Sequence, residues 1–425
     1  METKNQDIQE LFDFIEESPC AFQTVLAIQK RLEQSGFEEL AEQDGWKLKK
    51  GGRYFVKRND SSLISFIVPQ KEIKGFHMVA SHTDSPSFKI KANPEIAAEG
   101  AYVKMNTEKY GGMILATWLD RPLSVAGRVY VEEADGSIVP KPVHIKEDLF
   151  VIPNLAIHMN SEINKGYSYN PQVDMLPIFS ENEKKKLLPY IAQKMGIKEE
   201  TILSAELFLY VRQKGCVAGA DKEWIVSPRL DDLQCAYAEL MGMIQAEPEE
   251  YMPVGAFFDN EEVGSRTKQG ADSTFLEDVL NRIYNALSDC TKSLEQLLAC
   301  SFMLSADNAH AVHPNHPEKA DITNRPKMNG GIVLKYHGGQ KYTTDAYSAA
   351  RLIQLCKECD VPYQTYCNRS DVPGGSTLGN ISISHISAAS ADIGFAQLAM
   401  HSAVETAGRK DVQYGIRLFA HFLSK

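Results

Sequence analysis

The sequence has no long basic run. The densest is Lys184-Lys185-Lys186, and the formal net charge of the 425 residues is -11. This excludes a general electrostatic surface for nucleic acid or anionic membrane. It also argues against steering of acidic substrates by the molecule as a whole, so any such attraction must be local. No apolar run reaches the ~20 residues needed to span a bilayer. The opening residues, Met1-Glu2-Thr3-Lys4-Asn5-Gln6-Asp7, lack the apolar core of a signal peptide. The eight cysteines are scattered without a disulfide framework. A cytoplasmic protein with reduced thiols is expected. Cys356-Lys357-Glu358-Cys359 has C-x-x-C spacing but no second pair, and it follows Leu352 and Leu355 in a helical pattern. It reads as plain helix surface. Internal repeats and long disordered tracts are also missing. Hydrophobic residues make up 43% of the chain, which suffices for more than one core.

What is present is a set of polar residues at the ends of apolar runs. Met252 to Phe258 runs into Asp259-Asn260-Glu261-Glu262-Val263-Gly264-Ser265. A buried strand that ends in adjacent acids is costly unless a cation waits there. On an extended backbone, Glu261 and Glu262 would point to opposite sides. One could hold a metal while the other faces its water. Phe76 to Ala80 likewise ends in Ser81-His82-Thr83-Asp84-Ser85-Pro86, and Ser301 to Ala306 ends in Asp307-Asn308-Ala309-His310. Arg229-Leu230-Asp231-Asp232-Leu233 opens a helix, and His401 follows Gln397-Leu398-Ala399-Met400. In open α/β sheets, ligands gather beyond the carboxyl ends of the strands. Two zinc ions need about this set of His nitrogens and carboxylates.

Each feature has a plainer reading. Asp84 could cap a turn, and Asp231 or Asp232 could cap the helix. If His82 is a ligand, Asp84 would hold its far ring nitrogen. His310, His313 and His316 have metal-like spacing, but Pro314 breaks any helix that would align them. A role for His310 or His313 beside the main site fits better. Asp371-Val372-Pro373-Gly374-Gly375-Ser376-Thr377 lacks the Lys-Ser/Thr end of a P-loop. It reads as a tight connection or as backbone, at Gly375, that approaches a substrate closely.

Periodicity predicts two helices over residues 7–35, strands at 61–68 and 76–80, and a hairpin around Gly136. Ser180-Glu181-Asn182-Glu183 reads as a capping box, opening a helix that closes near Gly196. Further strands are predicted at 206–211, 252–258, 301–306, 331–336 and 362–367. We expect one α/β domain built from residues 1–93 and 227–425, interrupted by a β-rich insertion of residues 94–226.

His82-Thr83-Asp84-Ser85-Pro86, Pro228-Arg229-Leu230-Asp231-Asp232, Asn260-Glu261-Glu262-Val263-Gly264-Ser265, Asp307 to Pro314 and Gln397 to Ser402 occur in this order. Together they resemble the aspartyl aminopeptidase family of dinuclear zinc exopeptidases, across essentially the whole chain. The resemblance implies a zinc-exopeptidase-like α/β/α sandwich, with the insertion as a dimerisation domain. It implies dimers assembled into a tetrahedral dodecamer. It implies two zinc ions per subunit, with cobalt or manganese as substitutes, and peptide substrates. Asp231 would bridge the metals, His82 and Asp307 would complete one site, and Glu262 and His401 the other. Glu261 would be the general base for a metal-bridging water, and Asp84 would orient His82. His158, in Asn154 to Asn160, would reach a neighbouring subunit's active site and donate to the oxyanion. Lys335, upstream of Gln340-Lys341-Tyr342, would line the pocket for an acidic side chain, with Tyr342 beside it. Asp232 stands where other members can carry Asn, so the bridge rests on the first acid of the pair. Some members favour leucine. A carboxypeptidase or deacylase with the same cluster, and a catalytically silent assembly protein, are the rival readings.

Overall fold

The computed structural model describes residues 2–287, 290–375 and 377–425, with backbone only for residues 2–7. The chain gathers into two units. One comprises Met1–Asp84, Gly215–Met400 and Glu405–Lys425, the other Ser85–Lys214 and His401–Val404.

The first unit is built on a nine-stranded mixed sheet. Its spatial order is Glu38–Glu39, Arg53–Arg58, Ser62–Ile67, Tyr251–Phe258, Gly75–His82, Phe302–Ala306, Ala389–Gly394, Ile332–Tyr336 and Tyr363–Cys367. The sheet is buried on both faces because its strands are apolar at successive positions. Phe76, Met78 and Ala80 pack on one face with Phe275, Val279 and Leu297. Val79, Phe257 and Leu304 pack on the other with Leu233, Tyr237, Leu352 and Phe419. Helices therefore cover both faces, and the fold is the α/β class expected. A smaller five-stranded sheet in this unit, which periodicity did not reveal, joins Cys216–Ala218, Trp224–Ser227, Glu405–Gly408, Ala396–Leu398 and Ala309–His310. Two to four residues per strand is too short for alternation to show.

The second unit is an antiparallel six-stranded sheet with its own core around Phe88, Val125, Phe150 and Leu209. The predicted hairpin is there, Leu123–Glu132 with Ile138–His144. The edges of the unit fall at 84/85 and 214/215, not at 93/94 and 226/227. Ser87–Ala98 already pairs in this sheet, and Trp224–Ser227 pairs in the first unit's small sheet.

Two local expectations need correction. Ser180 does not open a helix. It ends the strand Ile178–Ser180, and its hydroxyl accepts the Asn182 N–H at 3.0 Å. The helix starts seven residues later, at Leu187, where the Glu95 carboxylate takes the first N–H at 2.8 Å. It does close at Gly196, in the left-handed conformation. Cys356 lies on a helix, Ala346–Glu358, but is buried among Leu352 and Leu355 rather than on the surface. Its spacing of one turn from Leu352 puts it on the same apolar stripe.

Candidate active site

Three neighbouring parallel strands end side by side. Phe258 is in register with His82, and Ser305 with Ala80. The residues that follow, Glu261 and Glu262 after one strand and Asp307 after the other, thus emerge at the same end of the sheet as His82. Between them the helix Leu230–Gln245 brings Asp231 and Asp232, both non-helical in backbone and joined by a cis peptide.

Hydrogen bonds fix this corner. His82 Nδ1 lies 3.1 Å from the Asp84 carbonyl and 3.3 Å from the Asp84 carboxylate. His82 Nε2 faces Asp231 Oδ1 at 3.5 Å. The far nitrogen of His82 is thus held by Asp84, the arrangement that orients a metal-ligating imidazole. The Asp84 carboxylate also accepts the backbone N–H groups of Glu261 and Glu262, each at 3.2 Å. The His82 N–H donates to Asp232 at 3.2 Å, and the Asp231 N–H to Glu405 at 3.0 Å.

Glu261 and Glu262 do not lie on extended backbone, so the expected reason for their divergence is wrong. The strand stops at Phe258, Asn260 takes a left-handed conformation, and Glu261–Val263 form a 3₁₀ turn. Successive side chains on such a turn are about 120° apart, which separates them in another way.

The electrostatics are those of a buried acid cluster around one histidine. One ligand atom from each of His82, Asp231, Asp232 and Asp307 can lie within 4.8 Å of all the others, and the same holds for His82, Glu261 and Glu262. Loss of water pushes Glu261 up to about 8, against the pull of His82 and with the push of Asp307, Asp84 and Asp231. Burial also raises Asp232 and Asp307. His82 behaves oppositely. Burial disfavours its charge, yet Asp232, Asp231, Asp84 and Glu261 hold it well above its ordinary value. A His nitrogen and several carboxylates converging at this spacing fit divalent cations, which would relieve the repulsion.

Lys335 is a nearby cation. It is only 2% exposed, with Nζ 3.7 Å from Asp307 and 5.5 Å from the Tyr342 ring centre. Burial opposes its charge, but Asp307, Tyr342 and Asp392 raise its pKa, so the ammonium persists. Tyr342 packs with Tyr366 in a small cluster with Ala309, Val333 and Ala396. Tyr366 also lines a cavity of about 540 Å³ with His310, His313, Gly375 and Gln397.

The second unit carries the remaining predicted residues. His158 lies in an exposed turn, flanked by exposed Leu155, Ile157 and Met159. His401 has a left-handed backbone, and its Nδ1 is 2.6 Å from the Gly112 carbonyl.

Three residues of the corner escaped sequence reasoning. Glu239 is buried and accepts the Ser81 hydroxyl at 2.5 Å. Its seven-residue, two-turn distance from Asp232 was the available signal. Asp392 is buried in an apolar strand, where a lone acid is itself a signal. Glu405 carried none, since its partner is 174 residues away.

Comparison with known proteins agrees with this geometry. Residues 14–423 match the family described as "Aminopeptidase I zinc metalloprotease (M18)". The chain is 47% identical, over 99% of both sequences, to "Probable M18 family aminopeptidase 2" of Clostridium acetobutylicum. It is 38% identical, over 98% of both, to the protein of that name from Ectopseudomonas mendocina. Among solved structures, it is similar to the chain in the cryo-EM structure of the Ape4 and Nbr1 complex. The TM-score is 0.95 at 35% identity, over 99% of this chain and 86% of that one. It is also similar to the S. cerevisiae mApe1 dodecamer, with TM-score 0.87 at 27% identity over 99% and 97%. For the M18 aminopeptidase of Thermotoga maritima the TM-score is 0.86 at 25% identity, over 100% and 97%. A strand-end cluster of acids around one histidine, in a chain matched from residue 14 to 423, is thus accounted for: this protein belongs to the M18 family of zinc metalloprotease aminopeptidases.

Proposed function

We propose that this aminopeptidase uses two zinc ions per subunit to release N-terminal residues, above all Asp and Glu, from peptides. The observation that carries the reading is the convergence of His82, Asp231, Asp232, Asp307, Glu261 and Glu262, with the charged Lys335 beside Asp307. Asp231 would be shared by the two sites; His82 and Asp307 would complete one, and Glu262 with His401, assigned by family resemblance, would complete the other. Cobalt or manganese could replace zinc. The metals, when bound, polarise the scissile carbonyl and lower the pKa of the attacking water.

The chain's own residues do the rest. Asp84 holds His82 and the Glu261–Glu262 turn in one frame. Glu261 accepts the proton of the attacking water and passes it to the leaving amine. Lys335 offers a charge-assisted hydrogen bond to an acidic first side chain, with Tyr342, His310 and the Gly375 backbone around it. Glu261→Gln is expected to keep its metals and lose turnover by about a hundredfold or more. Glu262→Gln is expected to lose metal instead. Metal counts by elemental analysis and kinetics on aminoacyl substrates read both, and the reverse pattern exchanges the two roles.

A leucine preference is the second reading. It is favoured by the apolar and aromatic packing of Tyr342 with Tyr366, Val333 and Ala396. A panel of aminoacyl substrates decides between the two.

The insertion is read as the dimer-forming part, lending His158 to its neighbour's oxyanion, with dimers joining into a dodecamer. The exposed Leu155, Ile157 and Met159 around His158 support a covered position in an assembly. Mixing inactive His158→Ala subunits with inactive Glu261→Gln subunits should restore part of the activity. No recovery in demonstrated mixed oligomers would end the shared-site reading.

A further inference from the structure

Asp392 is fully buried on Ala389–Gly394, the strand between those of Asp307 and Lys335. Ser305 is in register with it on one side. On the other, the Leu334–Ile393 pair places Lys335 directly opposite Asp392. Its carboxylate is occupied on both oxygens. Oδ2 accepts the Thr343 N–H at 2.5 Å and the Thr343 hydroxyl at 2.9 Å, while Oδ1 accepts the Thr377 hydroxyl at 2.6 Å. Its own N–H donates to the Thr344 hydroxyl at 2.9 Å.

These partners belong to two different segments. Thr343 and Thr344 follow Tyr342, and Thr377 lies just beyond Gly374 and Gly375. The same segments meet again farther out, where Lys341 Nζ donates to the Gly374 carbonyl at 2.8 Å. There is no slack at the inner joint. A methyl group on Gly379 would stand 2.9 Å from Asp392 Oδ1. One buried carboxylate thus ties the Tyr342 segment and the Gly-rich loop to the strand that lies beside Lys335.

We propose that Asp392 is a positioning residue for substrate selection. Through Thr343 and Thr377 it holds the Tyr342 segment and the Gly-rich loop to the strand beside Lys335, and so sets the pocket for the first residue without touching substrate. This rests on the reading that Lys335, Tyr342 and Gly375 line that pocket. The alternative is a purely structural acid, whose loss lowers stability or the active fraction and leaves selection alone.

The test uses the metal-loaded, full-length protein and aminoacyl anilides of Asp, Glu and Leu. Asp392→Ala should raise KM for the best substrate by about tenfold, the effect of losing hydrogen bonds to a charged group, with kcat within a few-fold. The ratio of acidic to leucine efficiency should move toward one. Metal content should stay as in the wild type. Asp392→Asn should restore most of the loss, because the Thr377 hydroxyl can rotate to accept from the new amide. If Asp392→Ala does not fold, Thr377→Val severs one tie only and should raise KM several-fold. In deuterium exchange, peptides covering 337–345 should gain uptake in either variant, while those covering 230–233 should not.

KM is read on whichever substrate the wild type prefers. A wild-type leucine preference would therefore overturn the acidic reading and still test Asp392. Unchanged KM and substrate ratio in folded Asp392→Ala or Thr377→Val, with only the active fraction falling, would overturn the inference. So would unchanged uptake over 337–345.

Discussion

His77 and His82 sit on the same strand, five residues apart, and both are buried. Their protonation is driven in opposite directions. His77 is stacked between Tyr251 at 4.2 Å and Phe422 at 4.5 Å, with Nδ1 2.9 Å from the Phe422 carbonyl. Burial pushes it down to about 4, and the carbonyl only partly resists. His82 is no less buried, yet the acids around it hold its pKa well above the ordinary range. Burial alone therefore does not set the charge of a core histidine; what shares the burial does. The start of the strand packs on the C-terminal helix Arg409–Leu423, and its end carries a cluster suited to metal binding.

Three experiments sharpen or break that contrast. The largest effect is expected at the acid end. If Asp231 bridges as proposed, Asp231→Ala should weaken both metal positions, because a bridging ligand would serve each. Activity should fall by about a thousandfold, since metal polarisation supplies several kcal/mol. Full metal content and activity in this variant would remove Asp231 from the bridge.

The second acts at the aromatic end. A histidine depressed in the folded state stabilises the protein above its unfolded pKa of 6.5, and that contribution is lost as pH falls toward the folded value of about 4. Over that window the loss is roughly 3 kcal/mol. In His77→Asn the side chain no longer titrates, so unfolding free energy measured by denaturant should lose that much pH dependence relative to wild type. His82 and the metals contribute equally to both proteins and cancel in the difference. Equal pH slopes would mean that the aromatic stack does not depress His77.

The third and smallest concerns Lys335. Lys335→Met should lower efficiency on N-terminal Asp or Glu by about tenfold to hundredfold and spare or improve it on Leu. Equal losses on both substrate types would leave Lys335 as a counter-ion to Asp307 alone.

Much of the catalytic corner was legible because its residues fall where apolar runs stop. Strand period and run length are local properties, so His82, Glu261, Glu262 and Asp307 could be picked out one by one. The fold class was legible for the same reason, since long buried strands alternating with helical stripes leave few architectures. Local signals misled where a tertiary partner overrode them. Ser180 had every mark of a capping box, yet its segment ends a strand and the helix is started by Glu95. Cys356 reads as plain helix surface because its C-x-x-C has no partner pair, but the helix turns it toward Leu352.

The sequence by itself determined the kinds of ligand, their order along the chain and the strand ends that carry them, because side-chain chemistry and backbone period are written residue by residue. Only the tertiary structure decided which acids share a space. His82 and Asp231 are 149 residues apart, and they meet at 3.5 Å because a strand and a helix are packed together. Glu239, Glu405 and Asp392 gained their roles in the same way, from partners remote in sequence. A carboxylate in the chain is merely acidic. Whether it is a ligand, a base, a counter-ion or a clamp depends on what is buried with it, and that is a property of packing.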